Sequence, residues 1–401
     1  MTVSSRRRFV AASSLALLSA GLRLAPAGEA TAQSLSDNRS RGPDNPIDVL
    51  GPEALERQAQ AILPPGAFAF VARGAGDEWT LGENRRAFND FSILTRRFGG
   101  TVDSAIDLTT RLLSEKLTSP ILVNPMGAQI MVHPEAEEVT AAGAGRADVL
   151  YTICGASNLP IEQIAKASNG PKWFQTYLNS DAGVSRDILL RARDAGAKAI
   201  VLTADALGPG TSDEFIRLGR PFSHGMTFGN YDPRYGGRGD FFSQKTNLSF
   251  DDIGWIRNIT GLPVVAKGIL RPSDAKDAIS AGAAAIQVSN HDGRQIDGVP
   301  ASISMLPSVA DAVGARVPVI LDSGVRRGID VLRALALGAT AVGVGRPVLY
   351  GAALGGARGV ESVLDHLKTE LHMAMLLAGV QSVGAIDRNF IMAPTACARR
   401  G

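Results

Sequence analysis

The chain has 401 residues, 45% hydrophobic and 20% charged, with a formal net charge of +2. That is enough material for a large core; the net charge says nothing of partners, but no basic block interleaved with aromatics appears, which argues against nucleic acid as a partner. Two cysteines, Cys154 and Cys397, exclude a disulfide framework and a cysteine-built metal site.

The N-terminus reads as an address. Ser5-Arg6-Arg7-Arg8-Phe9-Val10 precedes a mildly apolar stretch over 10–24, and Ala30-Thr31-Ala32 offers small residues for cleavage before Gln33. This order predicts a twin-arginine export signal over 1–32 and a periplasmic or otherwise extracytoplasmic destination. The apolar stretch is short and interrupted by Arg23, so a permanent membrane span is not expected. Twin-arginine export carries folded proteins, which suits a protein loaded with a cofactor before it leaves the cytoplasm. Residues 33–45 read as a polar linker, 46–395 as one folded domain and 396–401 as a tail.

Two helical segments open the domain, over 52–62 and 64–73, the second stopping at Gly74. Eight short apolar runs follow, at 121–124, 149–153, 173–177, 200–204, 264–267, 286–289, 319–322 and 341–345. Amphipathic stretches separate them, such as 180–195, 272–281, 302–313 and 329–337, and Gly-Ala or Gly-Leu-Pro turns lead into several of the runs. Eight β-then-α units predict a closed (β/α)8 TIM barrel. A doubly wound sheet is disfavoured, because no GxGxxG follows an early strand with an acidic residue about twenty further on. One connection breaks the rhythm: 207–249, after the fourth strand, has no clear periodicity and is long enough to serve as a lid.

In a parallel barrel the strand C-termini share one mouth. The polar residues ending these strands are Gln175 and Tyr177, Thr203 and Asp205, Lys267, Ser289 with His291 and Arg294, Asp322 with Arg326, and Gly345 with Arg346. Any one alone is more often structural than functional, but so many polar groups aimed at one cavity are costly without a ligand. Histidine can take a proton near neutral pH, and arginine can grip a carboxylate through two parallel hydrogen bonds. Asp322-Ser323-Gly324-Val325-Arg326-Arg327-Gly328 after strand seven and Gly343-Val344-Gly345-Arg346-Pro347 after strand eight look like a phosphate site, with glycines that admit an anion to backbone N–H groups.

These motifs, with Asp77-Glu78-Trp79-Thr80-Leu81, Glu83-Asn84, Phe174-Gln175-Thr176-Tyr177 and Leu202-Thr203-Ala204-Asp205, resemble the FMN-dependent 2-hydroxy-acid oxidases and dehydrogenases, the family of glycolate and lactate oxidases. The resemblance runs from about Pro52 to Ile391. It implies FMN as cofactor and oxidation of a 2-hydroxy acid to the 2-oxo product by hydride transfer to flavin N5. It implies His291 as base, Asp205 as its holder, Tyr177 and Arg294 on the substrate, and Lys267 at the flavin N1/O2 edge. Pro125 and Gly127 would lie against the flavin, Gln175, Thr203 and Ser289 would contact it, Asp322 the ribityl chain, and Gly324, Gly345, Arg326 and Arg346 the phosphate. A glycine at 127 leans towards dehydrogenase behaviour. With no haem domain in the chain, electrons would leave to oxygen, a quinone or a separate carrier. A homotetramer is expected by analogy.

Three positions depart from the family pattern. Phe70 stands where a substrate-binding Tyr is usual, Ser212 where a second Arg is usual, and Asp292 replaces the Gly after the catalytic His. Losing one hydroxyl and one guanidinium removes about 2–4 kcal/mol of anion binding, and Asp292 is expected to compete for Arg294. Either a lid arginine among Arg217, Arg220, Arg234 and Arg238 replaces the missing one, or the substrate is larger or less acidic. A flavin-binding protein with altered or lost turnover is the alternative reading.

Overall fold

The structure is a computed structural model that describes residues 44–208, 210, 212–219 and 226–392; the predicted export signal and the tail with Cys397 lie outside them. Eight parallel strands close into a barrel: β1 (Ile121–Val123), β2 (Leu150–Ile153), β3 (Lys172–Thr176), β4 (Ile200–Thr203), β5 (Val264–Ile269), β6 (Ala285–Val288), β7 (Val319–Leu321) and β8 (Ala341–Val344). Each pairs with its sequence neighbour, and β8 returns to β1 with Val342 opposite Ile121. The barrel predicted from eight β-then-α units is therefore the fold, with strand bounds that follow the apolar runs within a residue or two.

Strand alternation sorts the interior into layers. Leu122, Leu150, Trp173, Val201, Val265, Ala285, Ile320 and Ala341 form a separate buried cluster, joined by Leu112 and Leu117. Those two leucines come from the antiparallel pair Thr110–Leu112 and Glu115–Leu117, which closes that end of the barrel. Two residues further along the same strands the inward positions turn polar: Asn124, Gln175, Thr203, Lys267, Gln287 and Asp322. The chemistry of this protein begins at that change of layer.

The neighbouring residues on each strand face outward and pack against the helices, among them Ala182–Asp194, Ser302–Val313 and Gly328–Ala336. Asp181 caps the first of these by accepting from Gly183 N at 2.7 Å and Val184 N at 3.3 Å. The last helix, Arg346–Ala378, starts where β8 ends and breaks its helical geometry at Gly355 and Gly356. Among the described residues no helix is long and apolar enough to cross a membrane.

The N-terminal segment is three short helices, Pro52–Ile62, Pro65–Ala72 and Trp79–Arg86, followed by a turn over Ala87–Asp90. It is fastened to the loop after β6. Buried Asn84 and Asn290 exchange side-chain hydrogen bonds of 2.8 and 2.7 Å. Asp297 accepts from Thr80 N at 2.7 Å, Thr80 Oγ1 accepts from Val299 N at 3.1 Å, and Ala75 N donates to Gly293 O at 2.8 Å. Asn84→Ala leaves the buried Oδ1 of Asn290 without its donor, while its Nδ2 keeps Pro300 O, and should cost about 1–3 kcal/mol of stability, measured as a lowered urea midpoint with an unchanged slope.

Candidate active site

The backbone turns sharply as it leaves β6. His291, Asp292 and Gly293 all have positive φ, at 58°, 52° and 73°. For the two non-glycine residues this conformation costs about 1–3 kcal/mol each, least for His, Asn and Asp. Neighbouring hydroxyls hold it: Ser289 Oγ accepts from His291 N at 3.1 Å, and Ser323 Oγ from Asp292 N at 3.0 Å. The turn sets the His291 ring beside β4, with Nδ1 2.9 Å from Asp205 Oδ1. A carboxylate there fixes the proton on Nδ1 and leaves Nε2 as the acceptor.

Asp205 fits because of a glycine. At Gly268 the register of β5 against β6 shifts, φ is 100°, and an added Cβ would sit 2.6 Å from Asp205 Cβ. The Asp205 carboxyl faces opposing influences. Burial pushes it up, while the Lys267 ammonium and His291 pull it down more strongly, holding it at about 2. Its second oxygen is buried without a hydrogen bond, 3.8 Å from Lys267 Nζ. Lys267 is itself 3.8 Å from Asp322 Oδ2 and donates to Ser289 Oγ at 3.0 Å. Burial lowers its pKa and the two carboxylates overcome that, so the group stays cationic.

On the substrate side the arrangement differs from the family pattern. Arg294 donates to the Phe70 carbonyl, and its guanidinium lies over the Phe70 ring, 4.8 Å from the centroid. Burial and the nearby Arg346 push its pKa down to about 10, so it remains charged. Asp292 does not take Arg294, contrary to expectation; it turns to Arg346 and Arg326. Ser212, where an Arg is usual, caps the helix Asp213–Arg217 by accepting from Phe215 N at 3.3 Å.

Three of the four expected replacement arginines are otherwise engaged. Arg217 pairs with Glu214 at 2.6 Å, Arg234 with Asp232 at 2.5 Å, and Arg238 donates to Gly183 O at 2.8 Å; Arg220 lies outside the described residues. The lid instead brings aromatics to the mouth. Phe241 meets the Tyr177 ring edge-on at 6.0 Å and packs against Phe228 at 4.1 Å and Tyr231 at 5.7 Å. Burial raises the Tyr177 phenol well above its ordinary range, so it is a neutral donor.

Past β7 and β8 lies a cradle of donors. Gly324, with φ 84°, brings its N–H inward, and a Cβ there would collide with Asn84 O at 2.1 Å. Arg346 is buried and is anchored by Val71 O at 2.8 Å and Arg73 O at 3.2 Å, while Gly345 is partly open. Both oxygens of Asp322 are occupied, Oδ2 by Gln287 Nε2 at 2.6 Å and Oδ1 by Ser323 Oγ at 2.8 Å. Gln287 also donates to Asn124 Oδ1 at 3.0 Å. Gln175 donates to Thr203 Oγ1 at 3.0 Å and its side-chain carbonyl oxygen accepts from Gly155 N at 3.1 Å. A buried cation, amide and hydroxyl groups, and a cationic cradle together suit a flavin mononucleotide: a polar ring edge needs the first and a phosphate the last.

The FMN-dependent dehydrogenase family matches residues 59–393. The chain belongs to that family. It is similar to the L-lactate oxidase of Lentilactobacillus hilgardii, 41% identical over 346 residues, 85% of this chain and 93% of that protein. A solved structure described as a lactate oxidase of Pediococcus acidilactici superposes with TM-score 0.83 at 40% identity, covering 88% of this chain and 96% of that one. A mandelate oxidase with benzoyl-formic acid gives TM-score 0.79 at 37% identity, covering 86% and 98%. The cofactor of this FMN-dependent dehydrogenase is accordingly FMN, and its reaction the oxidation of a 2-hydroxy acid.

Sequence reading missed several supports of the site. Gly268 gave no signal beyond being a glycine after Lys267, and the Asn84–Asn290 pair joins residues far apart in the chain. Gly127 has a packing reason as well, since a Cβ there would lie 2.7 Å from Ala156 O. The low carboxyl of Asp205 implies an acid limit. The folded state holds this group deprotonated below its ordinary 3.8, so its contribution of about 2 kcal/mol is present above about pH 4 and is lost as pH falls towards 2. Equilibrium denaturation between pH 4 and 2 should show a shallower stability loss for Asp205→Asn than for the parent.

Proposed function

We propose that this FMN-dependent enzyme oxidises 2-hydroxy acids bearing a bulky apolar or aryl side chain, and that it passes the electrons to oxygen. The observation that carries the reading is the composition of the mouth. Among the described residues Arg294 is the guanidinium available to a substrate carboxylate, and Phe70 lies against it while Tyr177 and Phe241 pack edge to face. With one cation in place of two and no hydroxyl at Phe70, affinity for a small acid falls, and burial of an apolar substituent offsets the loss. The mandelate oxidase similarity supports the same substrate class, and the lactate oxidase relatives support oxygen as acceptor.

In this reading bound FMN supplies a two-electron acceptor for the hydride on the substrate α-carbon. His291 Nε2 takes the hydroxyl proton, Asp205 steadies the resulting imidazolium, and Arg294 and Tyr177 orient the substrate. The buried Lys267 cation favours negative charge building up at the flavin edge. Gln175, Thr203 and Ser289 would hold the ring with Pro125 and Gly127 along it, and Gly324, Gly345, Arg326 and Arg346 would serve the phosphate. The order Arg6-Arg7, apolar 10–24, Ala30-Thr31-Ala32 supports export of the folded protein by the twin-arginine route to the periplasm.

Anaerobic bleaching of the flavin band over a panel of 2-hydroxy acids tests this. Mandelate-like acids should reduce the flavin at least about tenfold more efficiently than lactate, with the bulky group contributing about 1.5–3 kcal/mol; the reverse order sinks the aryl assignment. His291→Ala should slow reduction by about 10²–10⁴-fold with FMN still bound. Phe70→Tyr should restore about 1 kcal/mol towards small acids, read as roughly fivefold tighter lactate binding in the same titration. Hydrogen peroxide formed in step with turnover in air would establish oxygen as acceptor.

A further inference from the structure

Asp292 is the most unusual residue of the site. It occupies a left-handed turn, φ 52°, that glycine would adopt freely, and it carries a charge into the donor cradle. Its Oδ1 accepts from Gly324 N at 2.9 Å and faces Asn84 Nδ2 at 3.4 Å. Its Oδ2 accepts from Arg346 and from Arg326 Nη2 at 3.4 Å. Burial raises this carboxyl, and the two guanidiniums overcome that and hold it well below the ordinary range, so it is an anion at any working pH. One backbone N–H and two arginines, the groups suited to a phosphate, thus converge on a side-chain carboxylate.

We propose that Asp292 is a built-in anionic ligand of the phosphate cradle, which competes with the phosphate of FMN and lowers the preference of this site for FMN over phosphate-free riboflavin. The inference rests on the FMN assignment. The one Gly324 N–H cannot serve a phosphate while it donates to this carboxylate, and a few ångströms apart the two anions repel strongly in a partly buried setting. Riboflavin has no such conflict and leaves the carboxylate–arginine pairs undisturbed. The arginine is not held by Asp292 Oδ2 alone, because Val71 O, Arg73 O and the Asp292 backbone carbonyl also accept from it. The cradle therefore persists when the carboxylate is removed.

The test is equilibrium binding of FMN and of riboflavin to the full-length protein stripped of flavin, followed by quenching of flavin fluorescence. In the unaltered protein FMN should bind no more than about tenfold more tightly than riboflavin. Asp292→Asn and Asp292→Gly should each tighten FMN about tenfold or more and change riboflavin less than about twofold. Unchanged or weaker FMN binding in both variants, or an equal gain for both flavins, overturns the proposal. Should neither variant fold, the unaltered protein decides: a preference for FMN above about tenfold overturns it, and a smaller one supports it. A protein that binds neither flavin overturns the proposal together with the cofactor assignment beneath it.

Discussion

The site depends on one buried cation. Lys267 lies 3.8 Å from carboxylate oxygens on both sides, Asp205 from the strand before and Asp322 from two strands beyond. Burial works against the charges of Lys267 and Asp205, and their mutual attraction overcomes it. Each carboxylate then has work on its other oxygen. Asp205 reaches His291, and Asp322 receives Ser323 and, beside the lysine, Gln287. Removing one partner from such an array leaves the others exposed to the full cost of burial.

The barrel makes this arrangement possible by a shift of two residues. Below, the inward positions are apolar and packed, and a leucine-bearing hairpin seals the end. Above, the same face of the same strands carries amides, hydroxyls and charges. The dry lower layer gives rigidity, and the strand register fixes which polar groups become neighbours. The loops then add direction. The left-handed backbone at His291 and Asp292 sends one side chain toward Asp205 and the next toward Arg346. A helix-period turn at that point would send neither.

The N-terminal helices belong to the site as much as the strands do. They enter through Asn84, Thr80 and Ala75, all bonded to the 290–299 loop, and their backbone carbonyls at Phe70, Val71 and Arg73 receive Arg294 and Arg346. Substrate-side and cradle arginines are thus seated on the same short stretch of main chain. The lid meets the opposite side of the mouth through Phe241 on Tyr177. The same segment also reaches the helical wall, where Phe215 packs on Phe70 at 5.7 Å.

Alternation and turn spacing determined the barrel from the sequence, because each β-then-α unit is a local pattern repeated eight times. Strand order also placed His291, Asp205, Lys267 and Arg294 at one end, since parallel strands must share their C-termini. The sequence did not determine which charged groups pair. Asp292 was as free to meet Arg294, three residues away, as Arg346 or Arg326, and only the left-handed turn decided for the latter two. Gly268 tells the same lesson: its φ of 100° and the 2.6 Å approach to Asp205 exist only once two strands lie side by side. Side-chain pairing is a property of distances between remote segments, and those distances come into being with the closed barrel.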